Sequence, residues 1–449
     1  MAQKVMLKKE MSLLMATALV IGNMMGSGIF MLPASLAQLS SPGASLVAWL
    51  ITGAGSVIIA LSFARLGTLL PHTGGPYEFS KHAFGEFAGY LSAWLYWNGS
   101  WIGNAAILIG VVSCLSVIFP SIASHPATGL LVSTVLLWSF TVLNIVGVKQ
   151  ASKVQTLFTA VKLLLFLLFI VFAFVGGDSA NIGELLPADK GFSTLPAAAA
   201  LTLWAFTGLE SAAVSGGEIR NSERNIRRST MYGIIITAIL YLLISYGAML
   251  SLPQGVLAKS NAPLIDAMVN LIGRNASIVI ALAAFVSVAG TAIGWLMVTA
   301  RISFAAGVDG WFPPIFGKVH AKYKTPHASL IISAVLVNVL LALNFSKGLS
   351  GAFTFISLLA TLSFLPIYVI TCAAEIILAI NHKLPLRAMR FIAQSIVPII
   401  GFGYGCWAIY GSGAETVMYG FLLILGGIPF YAYRSVKKRY DNDDFGVTE

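Results

Sequence analysis

The chain has 449 residues, of which 57% are hydrophobic and only 10% charged, with a mean hydropathy of +0.86. A soluble domain carries about 25% charged residues, so this composition excludes one and identifies a polytopic membrane protein. The formal net charge of +10 does not indicate nucleic-acid binding, because the basic residues are scattered over many short loops with no basic stripe and no recognition motif.

Apolar runs long enough to span a bilayer, which takes about 20 residues, recur at 12–34, 42–66, 86–119, 127–147, 154–176, 194–216, 229–252, 276–306, 327–345, 351–380, 389–410 and 414–433. They predict an all-α polytopic protein of twelve transmembrane helices. With both termini cytoplasmic, 22 of the 27 Lys and Arg fall on the cytoplasmic side, including Lys4, Lys8, Lys9, Arg220, Arg224, Arg227 and Arg228. The opposite face holds only Lys190, Lys259, Arg274 and Lys347, and Lys162 is left inside a span. The first run exceeds a signal-peptide core and ends in no small-residue cleavage site, so it is expected to remain as a span. No soluble domain interrupts the spans, and residues 1–449 read as a single transmembrane domain.

Cys114, Cys372 and Cys406 lie in apolar runs without CxxC spacing, which predicts neither a disulfide framework nor a metal site. There is no GxxxxGK[ST] or HExxH and no nucleophile–base constellation, so an enzyme is not expected, nor any cofactor. No filter-like repeat or ring of charges points to a channel.

Two runs look built to break. Residues 22–33, "GNMMGSGIFMLP", crowd glycines, an Asn, a Ser and a Pro into the first span, and residues 202–221, "TLWAFTGLESAAVSGGEIRN", put Gly208 and Glu210 in the middle of the sixth. Two interrupted spans five helices apart are what an inverted repeat produces, with helices 1–5 over 12–180 and helices 6–10 over 194–380, followed by helices 11–12 over 389–433. The alternative is that the glycines merely permit close packing. Unwinding at mid-membrane frees N–H groups on one half-helix and carbonyls on the other. A free amino acid satisfies both, its carboxylate at a half-helix N-terminus and its ammonium on carbonyls.

Glu210 and Lys162 are the costly groups. An ionisable side chain at mid-span is a functional candidate: Glu210 would carry a proton or attract a cationic substrate, unless it is a structural acid capped by its neighbours. Lys162 is either a functional ammonium or a snorkelling side chain. Glu375, near the end of its run, reads as a solvated helix-end group.

"GNMMGSGIFMLP", "GGPYEFSKHAFGEFAGYLSAWLYWNGSWIGN", "LWAFTGLESA" and "VDGWFPPIFGKV" together resemble the amino acid/polyamine/organocation transporters, most of all the bacterial arginine/agmatine and putrescine/ornithine antiporters. The resemblance covers nearly the whole chain and implies twelve spans, a 5+5 inverted repeat with helices 1 and 6 broken, and often a homodimer in membrane lipid. It places the carboxylate-binding turn at Ser27 and Gly28 with Asn23 one turn earlier. It makes Trp204 the substrate-facing aromatic beside Gly208, whose surrounding carbonyls take the amine, and Asn104 and Trp295 the contacts to the substrate's side chain. Lys162 matches a lysine that replaces sodium in the sodium-driven relatives, and Tyr77 a position linked to pH response. Counted from Pro366, a guanidinium-contacting hydroxyl is replaced by Leu359 and a gating tyrosine by Ile367, which speaks against arginine.

The function expected is a sodium-independent amino acid transporter working by alternating access in a bacterial inner membrane, an exchanger with a leaning to cationic amino acids or their amines. The alternative is a proton-coupled symporter of small neutral amino acids, favoured by Leu359 and Gly99; a transport-inactive sensor is a further one.

Overall fold

The computed structural model describes residues 9–187, 191–344, 349–381 and 388–443, and among these every regular element is a helix, apart from two isolated bridges. Lys4, Lys8, Lys190 and Lys347, which entered the charge pattern, lie outside the described residues. Helices are what the composition demands, since lipid offers no partner to an unpaired backbone group.

The first apolar run is split into α1 (Leu13–Met24) and α2 (Ser27–Leu39). There follow α3 (Pro42–Leu69), the short α4 (Pro76–Phe84), α5 (Glu86–Ser116), a single turn α6 (Ser121–Ser124), α7 (Pro126–Val146) and α8 (Val148–Gly176). The sixth run is split into α9 (Leu195–Phe206) and α10 (Ser211–Val214). After it come α11 (Ser222–Ser251), α12 (Gln254–Leu257), α13 (Pro263–Ile272), α14 (Ser277–Val308), α15 (His327–Asn344), α16 (Leu349–Asn381), α17 (Ala388–Gly411) and α18 (Ala414–Asp443). Local chemistry sets several starts: Ser12 Oγ accepts the Met15 N–H at α1, and Ser41 Oγ accepts the Ala44 N–H at α3, where Pro42 occupies the first turn.

Among the described residues ten helices, with each broken pair taken as one, are long and apolar enough to cross a membrane. On the ninth and eleventh predicted runs the apolar stretches are shorter, His327–Leu343 and Ser395–Gly411. Several helices outrun their predicted spans, α8, α11 and α18 by the most: α8 and α11 begin at Val148 and Ser222, and α18 continues to Asp443. Lys, Arg and Glu are good helix formers, so backbone hydrogen bonding continues beyond the apolar stretch.

The long α5 is the central pillar, with 83% of its apolar window buried against 28% for α7 and 11% for α18, whose outward leucines and phenylalanines face lipid. It packs along α14 and α16, while α14 also packs on α8, and α11 on α3. Within this ring α1 lies against α8, α11 and α14, α2 against α5 and α9, and α9 against α3. Both breaks are therefore enclosed by helices on every side.

Candidate functional site

The first break is two residues long. Met25 caps α1, its N–H bonding Ile21 O at 2.8 Å, and Gly26 precedes α2 without a side-chain cap. The second break, Thr207 to Glu210, turns at Gly208, whose φ of +109° is open to glycine and strained for other residues. The two breaks touch: a Cβ on Gly208 would lie 3.0 Å from the Asn23 carbonyl carbon.

The carbonyls released at the end of α1 are all engaged by protein donors. Gly22 O accepts from Lys162 Nζ at 3.0 Å and from Thr291 Oγ1 at 2.6 Å, Asn23 O from Trp295 Nε1 at 2.9 Å, and Met24 O from the Tyr241 hydroxyl. Lys162 is fully buried and also donates to Thr291 Oγ1 at 2.7 Å, so its ammonium joins α8 to α1 and α14. The Asn23 side chain is committed too: Oδ1 accepts from Gln155 and Nδ2 donates to Ser211 Oγ at 2.9 Å, linking the two breaks.

The start of α2 is different. Its N-terminal N–H groups have no side-chain cap, and the hydroxyl of Ser27 is buried without a partner. A helix N-terminus with a spare hydroxyl is a receptor for an anionic group. Trp204 lies directly over it: a Cβ on Gly28 would be 3.2 Å from the indole Cδ1, and one on Gly103 would be 2.9 Å from Cη2 at the indole's other end. Beside Gly103, Asn104 donates through Nδ2 to Thr299 Oγ1 at 3.0 Å, and its Oδ1 is buried with no partner. The indole thus spans from Gly28, next to Ser27 in the first turn of α2, to Gly103, next to Asn104 on α5, while the Ser27 side chain itself packs against Gly110 of α5.

Other expected contacts fall differently. The Gly208 carbonyl accepts the Ser211 N–H at 3.0 Å, Trp204 O accepts from Thr207, and Ala205 O accepts from Tyr241 at 2.8 Å, so these three carbonyls near the second break are engaged within the protein. Trp295 holds the first break through its indole N–H and meets Phe364 edge-on at 5.5 Å. Gly99 packs against α16, where a Cβ would meet Ser363 at 2.8 Å.

Glu210 is fully buried and held by three donors: the Tyr96 hydroxyl at 3.0 Å, the Tyr368 hydroxyl at 2.9 Å and the Gly208 N–H at 3.2 Å. Tyr368 thus faces the second break from the tenth predicted span, and its neighbour Ile367 is buried in the apolar packing. On the same helix Ala360, next to Leu359, lies 3.7 Å from where a Cβ on Gly103 would stand, and neither side chain can hydrogen-bond a guanidinium. Glu375, expected to be solvated, is 7% exposed and paired with Arg65 at 2.7 Å.

Tyr77, on the short α4, donates to Asp309 Oδ2 at 2.5 Å. Burial, reinforced by that bond, holds its phenol far above the ordinary tyrosine range, so Tyr77 stays a protonated donor at physiological pH.

The sequence reading missed Gln155, Thr291, Tyr241, Tyr96 and Tyr368. A signal existed for one: Gln155, Thr159 and Lys162 follow i, i+4, i+7 spacing, a polar stripe on the otherwise apolar α8. It also missed Arg301, fully buried, whose Nε and Nη2 donate to Glu218 Oε2 and Oε1, both at 3.1 Å.

The chain is 32% identical to a putative arginine/ornithine antiporter of Bacillus subtilis over 96% of this chain and 98% of that protein. It is 28% identical to an arginine/ornithine antiporter of Pseudomonas aeruginosa, over 93% of this chain and 89% of the relative. An arginine/agmatine antiporter of Chlamydia abortus is 27% identical, over 98% and 93%. The broken, enclosed helices and a match to the amino acid permease family over residues 11–428 lead to one conclusion: this chain belongs to that family of membrane transporters and is not an enzyme.

Proposed function

We propose that the protein is a sodium-independent amino acid exchanger, with twelve spans, both termini cytoplasmic, and a 5+5 inverted repeat whose first helices are broken. One observation carries the reading: Ser27 Oγ, beside an uncapped helix N-terminus, and Asn104 Oδ1 are buried without a partner, and their chain neighbours Gly28 and Gly103 lie against the two ends of the Trp204 indole. A carboxylate at the first and a donor-bearing side chain at the second would satisfy both, with the indole face covering the chain between them. The ligand's α-ammonium takes carbonyls near Gly208 after the break's internal turns open.

Cationic amino acids and their amines suit an unpaired acceptor at the side-chain end, in keeping with the antiporter names of the relatives. Ala360 and Leu359 on α16 favour ornithine-like over guanidinium side chains. Sodium independence is supported by Lys162, whose ammonium occupies the Gly22 carbonyl and Thr291 hydroxyl that a coupling cation would use. In alternating access, a bundle containing the two breaks rocks against the other helices, opening the site to each side in turn.

Radiolabelled uptake into proteoliposomes preloaded with nothing, arginine, ornithine, agmatine, alanine or serine, without sodium, tests this. Uptake confined to vesicles preloaded with ornithine, arginine or agmatine is expected; gradient-driven uptake into empty vesicles would make it a proton symporter instead. Glu210→Gln replaces a three-donor acceptor with a group that must turn its NH2 toward a hydroxyl or an N–H. The expected result is a flattened pH dependence of uptake with the protein still folded; an unchanged profile removes Glu210 from coupling.

A further inference from the structure

A cavity of about 300 Å³ opens near one membrane face, between the C-terminal ends of α3 and α16 and the N-terminal parts of α11 and α17. Arg65, Arg227, Glu375, Thr68 and Ser395 line it, with Pro398 in its apolar wall. Glu375 lies six residues before the end of α16, about 9 Å at 1.5 Å per residue, a depth at the headgroup boundary. None of these residues takes part in the site at the helix breaks.

The charges do not cancel. Arg65 Nη1 holds Glu375 Oε1 at 2.7 Å, but Arg65 is 36% exposed at its side chain, so the rest of its guanidinium is accessible. Arg227 is exposed and unneutralised by this pair, so among the described lining residues two guanidiniums and one carboxylate leave a single positive charge. The Glu375 side chain is only 9% exposed, and its Oε2 is buried with no hydrogen-bond partner among the described residues. A buried carboxylate oxygen without a donor is costly. The cavity therefore calls for an anion that also carries a donor.

We propose that this cavity binds the head of an anionic glycerophospholipid of the phosphatidylglycerol kind. The phosphodiester sits on Arg227 and the open edge of Arg65, a charge-assisted contact suited to guanidinium, and a glycerol hydroxyl donates to Glu375 Oε2. One negative charge brings the cavity to neutrality. A phosphocholine head has no donor for Glu375, and a phosphoethanolamine head supplies one but leaves the net charge in place. The acyl chains have a path along Ile380, Ile396 and Ile399, which are 57%, 49% and 57% exposed on the adjoining helices. Basic pockets between spans at a membrane face are a recurrent solution for acidic lipid heads.

The test uses the purified full-length chain, with lipid binding read by native mass spectrometry and thermal stability in detergent. Phosphatidylglycerol, phosphatidylethanolamine and phosphatidylcholine with identical acyl chains are compared. Phosphatidylglycerol is expected to bind about tenfold more tightly than phosphatidylcholine, the scale of one charged hydrogen bond, and to raise the melting temperature most. Arg227→Gln should abolish that preference, and Arg274→Gln, on the opposite face, should keep it. Ser395→Trp fills the cavity without changing charge and is expected to remove the preference as well, which covers the case of an unstable Arg227 variant. Equal binding of phosphatidylglycerol and phosphatidylcholine to the wild type, or the preference intact in Arg227→Gln or Ser395→Trp, overturns the proposal. Equal stabilisation by water-soluble glycerol phosphate would also overturn it, by assigning the site to a soluble anion.

Discussion

Lys162→Ala is expected to reduce exchange in proteoliposomes by about tenfold or more, with the protein still folded and inserted. The ammonium makes two charge-assisted hydrogen bonds, to Gly22 O and Thr291 Oγ1, each worth about 1.5–3 kcal/mol when made to a charged group. Gly22 lies two residues before the end of α1, so these bonds fix where the first break begins. Folding is expected to suffer less than transport, because removing a buried ammonium also removes its desolvation cost, and Thr291 still donates to Gly22 O. The comparison needed is initial exchange rate against the amount of monodisperse protein recovered. A wild-type rate in the variant would show that the first break holds its shape without the lysine.

Arg301→Ala acts on stability first. The guanidinium forks onto Glu218 and donates through Nη1 to Met297 O at 3.1 Å, with both side chains 1% exposed. Truncating one member of a buried pair leaves the other charge uncompensated, a loss of about 3–5 kcal/mol. Glu218 sits in the turn that follows α10, and its backbone is clamped to the start of the described chain, Met11 N–H donating to Glu218 O and Arg220 N–H to Met11 O, both at 2.9 Å. The pair thus ties the exit of the second break to α14. Arg301→Ala and Glu218→Ala should each lower the melting temperature in detergent sharply. The double variant Arg301→Met/Glu218→Leu should recover much of the loss, because it leaves no stranded charge. Single variants that melt with the wild type would show that water reaches the pair.

Arg301 also shows where reading the chain by itself runs out. As a basic residue near the end of an apolar run it counts with the cytoplasmic charges, and nothing local distinguishes it from a solvated one. Its burial follows from Glu218, 83 positions earlier, being carried to the same depth on another helix. Glu375 was misjudged for the same reason, since its partner Arg65 is 310 positions away. Which side chain of the tenth predicted span faces the second break is likewise hidden from the sequence, because one step along a helix turns a side chain by about 100°. Only the packed Glu210 carboxyl shows that Tyr368 and not residue 367 faces it.

Membrane residence, the positions of the apolar runs and the location of both breaks were legible in the sequence alone. Each depends on local chemistry: the length of apolar stretch that matches a bilayer, and glycines or prolines that loosen a helix where they stand. The tertiary structure alone decided which polar groups meet inside: Asn23 with Ser211 across 188 positions, Lys162 with Gly22 across 140, and Trp204 over Gly28 and Gly103. Those pairings depend on how each helix is rotated and slid against its neighbours, which is set by side-chain packing summed over the whole bundle and has no local signature.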